Sequence, residues 1–126
     1  MSVLIDTSVW VEYFRSGTQG KQVDSLLDED LAATNDLILA ELVPFLRLRN
    51  QRKIITLLGN LARLPLAIDW EQIMEFQYRC LKAGVNGIGI PDFIIAQNAR
   101  QHDDAILTLD QHFPRLAKVV PLRLLT

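Results

Sequence analysis

The stretch Val3-Leu4-Ile5-Asp6-Thr7-Ser8-Val9-Trp10 changes from one kind of local structure to another at its acid. Val3-Leu4-Ile5 is a short apolar run, β-branched at both ends, and reads as a buried strand ending at Asp6. Thr7 and Ser8 offer cap chemistry for a helix on their carboxyl side. Val9, Trp10, Tyr13 and Phe14 then make an apolar stripe at helical spacing, which stops at Ser16-Gly17.

Outward from that start, strands and helices keep alternating. Residues around 19–29 read as a second helix and Leu31-Ala32-Ala33 as a second strand. Thr34-Asn35-Asp36 gives strong N-cap chemistry for a helix from about Asp36 to Leu48, which Pro44 is expected to kink or break. Residues 51–62 form an amphipathic helix on Ile54, Leu57, Leu58 and Leu61, interrupted by Gly59 and ended before Pro65. Leu66-Ala67-Ile68 is the third candidate strand, and residues 70–83 are helical up to Gly84. After a glycine-containing loop over 85–90, Pro91 fits the first turn of a helix over 91–102. Ala105 to Leu109 is the fourth strand, Asp110 caps a short helix, and Val119-Val120-Pro121-Leu122 is a fifth, edge strand. No repeat, linker or low-complexity segment interrupts this order. The pattern predicts one α/β domain over residues 1–126, with a central, mainly parallel sheet flanked by helices. Ligands in such sheets bind beyond the carboxyl ends of the strands, where Asp6 and Asp110 fall.

A chain of 126 residues, 49% hydrophobic and 22% charged, has the size and composition of one compact domain. Cys80 is the single cysteine, which leaves no disulfide framework or thiolate cluster for zinc and fits a reducing, cytoplasmic setting. The start reaches Asp6 too soon for a signal peptide, and no apolar run approaches the roughly 20 residues of a membrane span. A net charge of −2 argues weakly against broad electrostatic binding of nucleic acid. Placement matters more than the total. With four of the 15 acids around a cation, the rest of the chain carries 11 acids against 13 bases.

Four carboxylates stand out by their settings: Asp6, Glu41, Asp92 and Asp110. Each has a plain structural reading. Asp6 and Asp110 suit helix caps, and Asp92 lies in a first helical turn, where the macrodipole favours an acid. Glu41 shares a helical face with Leu37, Ile38, Pro44 and Phe45, and no Lys or Arg holds a helical partner position. A buried, unpaired carboxylate costs several kcal/mol, so a long-range ion pair or a metal is expected there. Acids converging at strand ends repel one another unless a cation compensates. Hard oxygen ligands of this kind suit Mg²⁺ or Mn²⁺. His102 and His112 have no ligand-like spacing to each other or to Cys80, which argues against zinc.

These residues resemble a known family. Leu4-Ile5-Asp6-Thr7-Ser8, Thr34-Asn35-Asp36 leading to Ala40-Glu41-Leu42, Ile90-Pro91-Asp92 with Ile94-Ile95-Ala96, and Leu107-Thr108-Leu109-Asp110-Gln111-His112-Phe113 are similar to the motifs of PIN domains. Their order and spacing look like those of VapC-type ribonuclease toxins of type II toxin–antitoxin systems, from residue 2 to about 123. The resemblance implies that Asp6, Glu41 and Asp92 are the main metal-site carboxylates, with Asp110 a fourth, more variable member acting directly or through water. Thr7 or Ser8, and Thr108, fall where such domains place a supporting hydroxyl. The implied reaction is metal-dependent hydrolysis of an RNA phosphodiester, leaving a 5′-phosphate and a 3′-hydroxyl. A homodimer and a wrapping antitoxin partner are implied as well.

Arg47, Arg49, Arg52 and Lys53 form a basic cluster beyond Glu41 that is either an RNA-holding rim or a solvated helix face. Trp10, Tyr13 and Phe14, with the leucine-rich segment 54–66, are either core or the groove an antitoxin would fill. Other enzyme readings fit less well. A haloacid-dehalogenase phosphatase wants a second Asp where Ser8 stands, and a receiver domain wants paired acids and a late Lys. Two alternatives stay open: a PIN-fold RNA- or protein-binding module without turnover, and a stand-alone RNA-processing nuclease.

Overall fold

A computed structural model describes residues 1–15 and 20–125. The expected helix stop at Ser16-Gly17, and residue 19 of the second expected helix, lie outside the described residues. The chain runs β1 (Val3–Ile5), α1 (Thr7–Arg15), α2 (Gly20–Asp28), β2 (Ala32–Thr34), α3 (Asp36–Leu48) and α4 (Arg52–Gly59). It continues as β3 (Ala62–Arg63), α5 (Trp70–Lys82), α6 (Ile90–Gln101), β4 (Ala105–Leu107) and α7 (His112–Leu116). The four strands lie in the order β3-β2-β1-β4, and every pairing is parallel. The expected α/β architecture is therefore what forms.

The strands are short, and all but β3 are fully covered. All residues of β1, β2 and β4 are buried, as expected of parallel strands with helices on both faces. Leu4, Ile5 and Ile106 meet Trp10, Ile38, Leu42, Phe93, Ile95 and Phe113 in one core. That core fixes the carboxyl ends of β1 and β4 side by side, with Leu4 opposite Ile106 and Ile5 opposite Leu107.

Two expected strands form elsewhere. The third was expected at Leu66–Ile68, but pairing with β2 falls at Ala62–Arg63. The segment after it is held by side chains of α6 instead of by a ladder. Asn98 donates to the Pro65 carbonyl (3.0 Å), Gln101 to that of Ala67 (2.8 Å) and Gln97 to that of Asp69 (3.1 Å). Pro65 itself has no N–H to give. The fifth strand was expected at Val119–Leu122, where Pro121 likewise removes a donor. A single parallel bridge between Ile106 and Leu124 takes its place, through Ile106 N–H to Arg123 O (2.9 Å) and Leu125 N–H to Ile106 O (2.9 Å).

Two smaller differences remain. Helix α3 runs through Pro44 without a break. Strand β4 ends at Leu107, two residues early, because Thr108 turns its hydroxyl onto Asp6 at the end of β1. No helix among the described residues is long and apolar enough to cross a membrane.

Candidate functional site

Asp6 ends the central part of the sheet and is almost fully buried, at 5% exposure. Its Oδ2 accepts two hydroxyl hydrogen bonds, from Ser8 (3.0 Å) and from Thr108 (2.9 Å). Those hydroxyls are themselves fixed by backbone amides: Leu109 N–H donates to Ser8 Oγ (3.0 Å) and Asp110 N–H to Thr108 Oγ1 (3.0 Å). Each hydroxyl thus receives from the chain after β4 and passes its own hydrogen to Asp6. Thr7 and Ser8 were expected to cap the first helix, but they are its first two residues. Thr7 instead donates to Glu41 Oε1 at 3.0 Å, linking α1 to α3.

The other three acids arrive from separate elements. Glu41 lies in the second turn of α3, whose start is set by Asn35: its Oδ1 accepts from Ile38 N–H at 2.9 Å, in N-cap fashion. The Asn35 amide also donates to Asn98 Oδ1 (2.9 Å), tying the start of α3 to α6. Asp92 sits in the first turn of α6, where its Oδ2 accepts from Gly89 N–H at 3.3 Å. Asp110 accepts from His112 N–H at 2.9 Å, so it does cap the entry to α7.

Glu41 departs from its expected setting, since it does not share a buried face. The core face of α3 is Ile38, Leu42 and Leu46, while Glu41, Pro44 and Phe45 are exposed. What sets Glu41 apart is a carboxyl group close enough to Asp6 and Asp92 to feel their charges. Partial burial pushes its pKa up, the Thr7 hydroxyl counters this, and the charges of Asp6 and Asp92 push it up further. Burial likewise raises Asp6. The Thr108, Ser8 and Thr7 hydrogen bonds oppose that, and the Asp110 charge adds to it. These couplings link Glu41 to Asp6 and Asp92, and Asp6 to Asp110. The four expected residues therefore form one electrostatic unit.

Among the described residues, no Lys or Arg is ion-paired with any of the four, and His112 is their one basic partner. Its Nδ1 lies 3.0 Å from Asp92 Oδ2 and 3.4 Å from Asp110 Oδ1. Asp92, Asp110 and His112 offer ligand atoms that all lie within 4.8 Å of one another. Mutually repelling carboxylates, two of them raised and none matched by a fixed cation, are the donor chemistry of a hard divalent cation. Sequence spacing alone missed His112. The signal available was its place two residues after Asp110, inside the Leu107–Phe113 motif.

The basic cluster lies apart from these acids. Arg47, Arg49, Arg52 and Lys53 are exposed around the α3–α4 corner, with Arg47 about 9 Å beyond Glu41 along the helix axis. Of the aromatic trio, Trp10 is core, stacked on Phe14 at 5.6 Å. Tyr13 donates its hydroxyl to Asp24 of α2. A cleft of about 280 Å³ does open beside them, between α1, α3 and α4. It is lined by Val11, Phe14, Leu42, Phe45, Leu46 and Ile54 with Arg15 and Arg49.

Comparisons with known proteins agree with this architecture. The crystal structure of VapBC2 from Rickettsia felis bound to a promoter DNA fragment contains a chain that superposes with a TM-score of 0.78 at 20% identity, covering 99% of this chain and 98% of that one. DNA-bound VapBC from Salmonella typhimurium gives 0.77 at 14% identity, covering 99% and 97%. VapBC-1 from nontypeable Haemophilus influenzae gives 0.75 at 18% identity, covering 99% and 97%. At such identities the likeness establishes the fold. Comparison with curated protein sequences finds no significant match. The family model of the PIN domain matches residues 3–119, which takes in the strand-end acids and the segments that bring them together, and the chain belongs to the PIN domain family.

Proposed function

We propose that this chain is a metal-dependent endoribonuclease and the toxin of a VapBC-type pair. The observation that carries the nuclease reading is the unit of four coupled carboxylates at the carboxyl end of a parallel sheet, without a fixed Lys or Arg partner among the described residues. Asp6, Glu41, Asp92 and Asp110 would hold one or two Mg²⁺ or Mn²⁺ ions. Bound there, the ion supplies a lowered pKa for water and neutralises phosphoryl charge during hydrolysis to a 5′-phosphate and a 3′-hydroxyl. The chain's own part is positional. Thr108 and Ser8 aim one carboxylate oxygen of Asp6, Thr7 orients Glu41, and the Gly89 amide steadies Asp92. RNA is held by exposed cations, among them Arg47, Arg49, Arg52 and Lys53, so binding weakens with salt.

The partner reading rests on the apolar cleft between α1, α3 and α4. Its size and its two flanking arginines suit an amphipathic, acidic segment of an antitoxin, and the superposed chains were crystallised as VapBC assemblies. Arg49 belongs to both the cleft and the basic cluster, so a seated antitoxin would also cover part of the RNA-holding surface.

A homodimer is supported by α5. Trp70, Met74, Tyr78 and Leu81 recur at helical spacing, and each is more than half exposed. Acids (Glu71, Glu75) flank the first half of this stripe and bases (Arg79, Lys82) the second. Two copies packed antiparallel about a two-fold axis would set acids against bases.

The test uses partner-free protein and total cellular RNA, with Mg²⁺ or Mn²⁺ and with chelator. Discrete, metal-requiring cleavage that is lost in Asp92→Asn is expected, since that change removes a charge at nearly constant volume. A well-folded wild type that cleaves nothing, or a variant that cleaves equally well, would sink the catalytic reading and favour a PIN-fold binding module. Cleavage by a protein that forms no antitoxin complex would favour a stand-alone processing nuclease.

A further inference from the structure

We propose that His112 is a nitrogen ligand of this centre, so that Asp92, Asp110 and His112 form a mixed oxygen–nitrogen site. The inference rests on the metal-centre reading and adds to it a preference for Mn²⁺ or a later transition ion over Mg²⁺.

Separations between the donor atoms come first. Ligand atoms about 2.1 Å from an ion stand about 3.0 Å apart when they are neighbours in an octahedral shell. His112 Nδ1 lies 3.0 Å from Asp92 Oδ2 and 3.4 Å from Asp110 Oδ1, so the ring nitrogen stands from each carboxylate about as far as one ligand from its neighbour, and all three ligand atoms lie within 4.8 Å of one another. Without an ion, Nδ1 carries a hydrogen and donates it to these acceptors. With an ion, the neutral ring takes its other tautomer, with the hydrogen on Nε2, and Nδ1 offers its lone pair.

Position is set by the fold and not by this contact alone. His112 opens α7, its N–H is fixed on Asp110 Oδ1 at 2.9 Å, and the next residue, Phe113, is fully buried. The imidazole therefore stands beside the two acids before any ion arrives. Mg²⁺ favours oxygen ligands and binds nitrogen poorly, whereas transition ions accept imidazole readily. A nitrogen in the shell thus tilts the preference further toward transition ions than carboxylates alone would.

The competing role for His112 is that of a hydrogen-bonding support for Asp92. The two roles have different signatures. Loss of a supporting partner weakens binding of every divalent ion alike, by about 10- to 100-fold. Loss of a nitrogen ligand weakens Mn²⁺ selectively. The experiment titrates the full chain with Mn²⁺ and with Mg²⁺, separately and in competition, for wild type, His112→Phe and Asp92→Asn. Pulsed paramagnetic resonance of the Mn²⁺ complex is then searched for coupling to a ring nitrogen. His102 is the only other histidine, and its Nε2 lies 3.3 Å from the Pro65 carbonyl oxygen.

Expected are nitrogen coupling in the wild type, and a loss of about tenfold in Mn²⁺ affinity in His112→Phe with a change under about threefold for Mg²⁺. Equal losses for both ions, or a wild-type Mn²⁺ complex without nitrogen coupling, would overturn the ligand role and leave the carboxylate centre standing. Wild type that binds neither ion, or Asp92→Asn that binds both as tightly, would overturn the metal centre and this inference together. The wild-type spectrum decides the matter even if His112→Phe fails to fold.

Discussion

Thr108→Val keeps the shape of a side chain while removing its hydrogen bonds to Asp6 and to the Asp110 amide, together with a longer contact to Ser8 Oγ (3.4 Å), and its effect should depend on pH. Thr108 Oγ1 accepts from Asp110 N–H at 3.0 Å and donates to Asp6 Oδ2 at 2.9 Å. The amide bond is partly exposed, so losing its acceptor costs about 1 kcal/mol. The second bond is made to a carboxylate at 5% exposure, where a charge-assisted hydrogen bond is worth about 1.5–3 kcal/mol. Ser8 still serves the same oxygen, which favours the lower end of that range. The total is about 2.5 kcal/mol when Asp6 is ionised and about 1.5 kcal/mol when it is protonated, because a neutral carboxyl still accepts a weaker hydrogen bond.

Linkage between proton binding and folding sets the sign. Asp6 titrates above its ordinary 3.8 in the folded chain, and the Thr108 hydroxyl is the strongest influence holding it down. Removing that hydroxyl raises the folded pKa further and leaves the unfolded value unchanged. Between the two values the folded state binds more protons, so stability falls as pH rises through this window, and the variant falls further. Urea unfolding in chelator at pH 4 and pH 8 measures the difference. A penalty of the same size at both pH values, or one under about 1 kcal/mol at pH 8, would refute the account of how Asp6 is held.

Three further outcomes are expected. Metal-free Asp6→Asn should lose less stability than the wild type from about pH 4 to 8, because of the raised pair only Glu41 is left to ionise, and Mn²⁺ should restore the wild type alone; melting curves with and without the ion check both halves. Asn35→Ala should cost about 3 kcal/mol in denaturant unfolding, through a lost helix cap and an unpaired Asn98 oxygen, and a double-mutant cycle with Asn98→Ala should show strong coupling between the two. Tyr78→Glu places a charge in the exposed stripe of α5 and should shift the protein to monomers in light scattering without lowering its melting temperature; an unchanged mass would remove α5 as the dimer face.

The strand–acid–helix start was legible because it rests on local chemistry, a β-branched run with an acid at its end, and Asp92 and Asp110 stand near helix starts for a similarly local reason. What was not legible depends on contacts far apart in the chain. Leu66–Ile68 looks like a strand, but Gln97, Asn98 and Gln101 claim the carbonyls of the surrounding segment from α6. Glu41 was singled out by a helical face that the structure reverses, yet its carboxyl does meet Thr7 across 34 positions. His112 was judged by its spacing to the other histidine and to Cys80. The atoms that matter to it belong to Asp92, 20 positions away, and to Asp110 next to it in the fold.

The hydroxyl relay onto Asp6 has a consequence for how such a chain is made. Asp6 directly follows β1, and the Thr108 hydroxyl that aims it comes 102 positions later in the chain. At about 5–20 residues per second, Asp6 waits several seconds before its partner exists. Until then β1 lacks β4, its neighbour on one side, and the carboxylate lacks half of the hydroxyl support that sets its orientation. A chain cut short between Asp92 and Thr108 therefore carries Asp6, Glu41 and Asp92 with Asp6 held by Ser8 alone. Chains that lack Thr108 should therefore lack any activity that depends on an aligned Asp6, however much of the rest of the site they already carry.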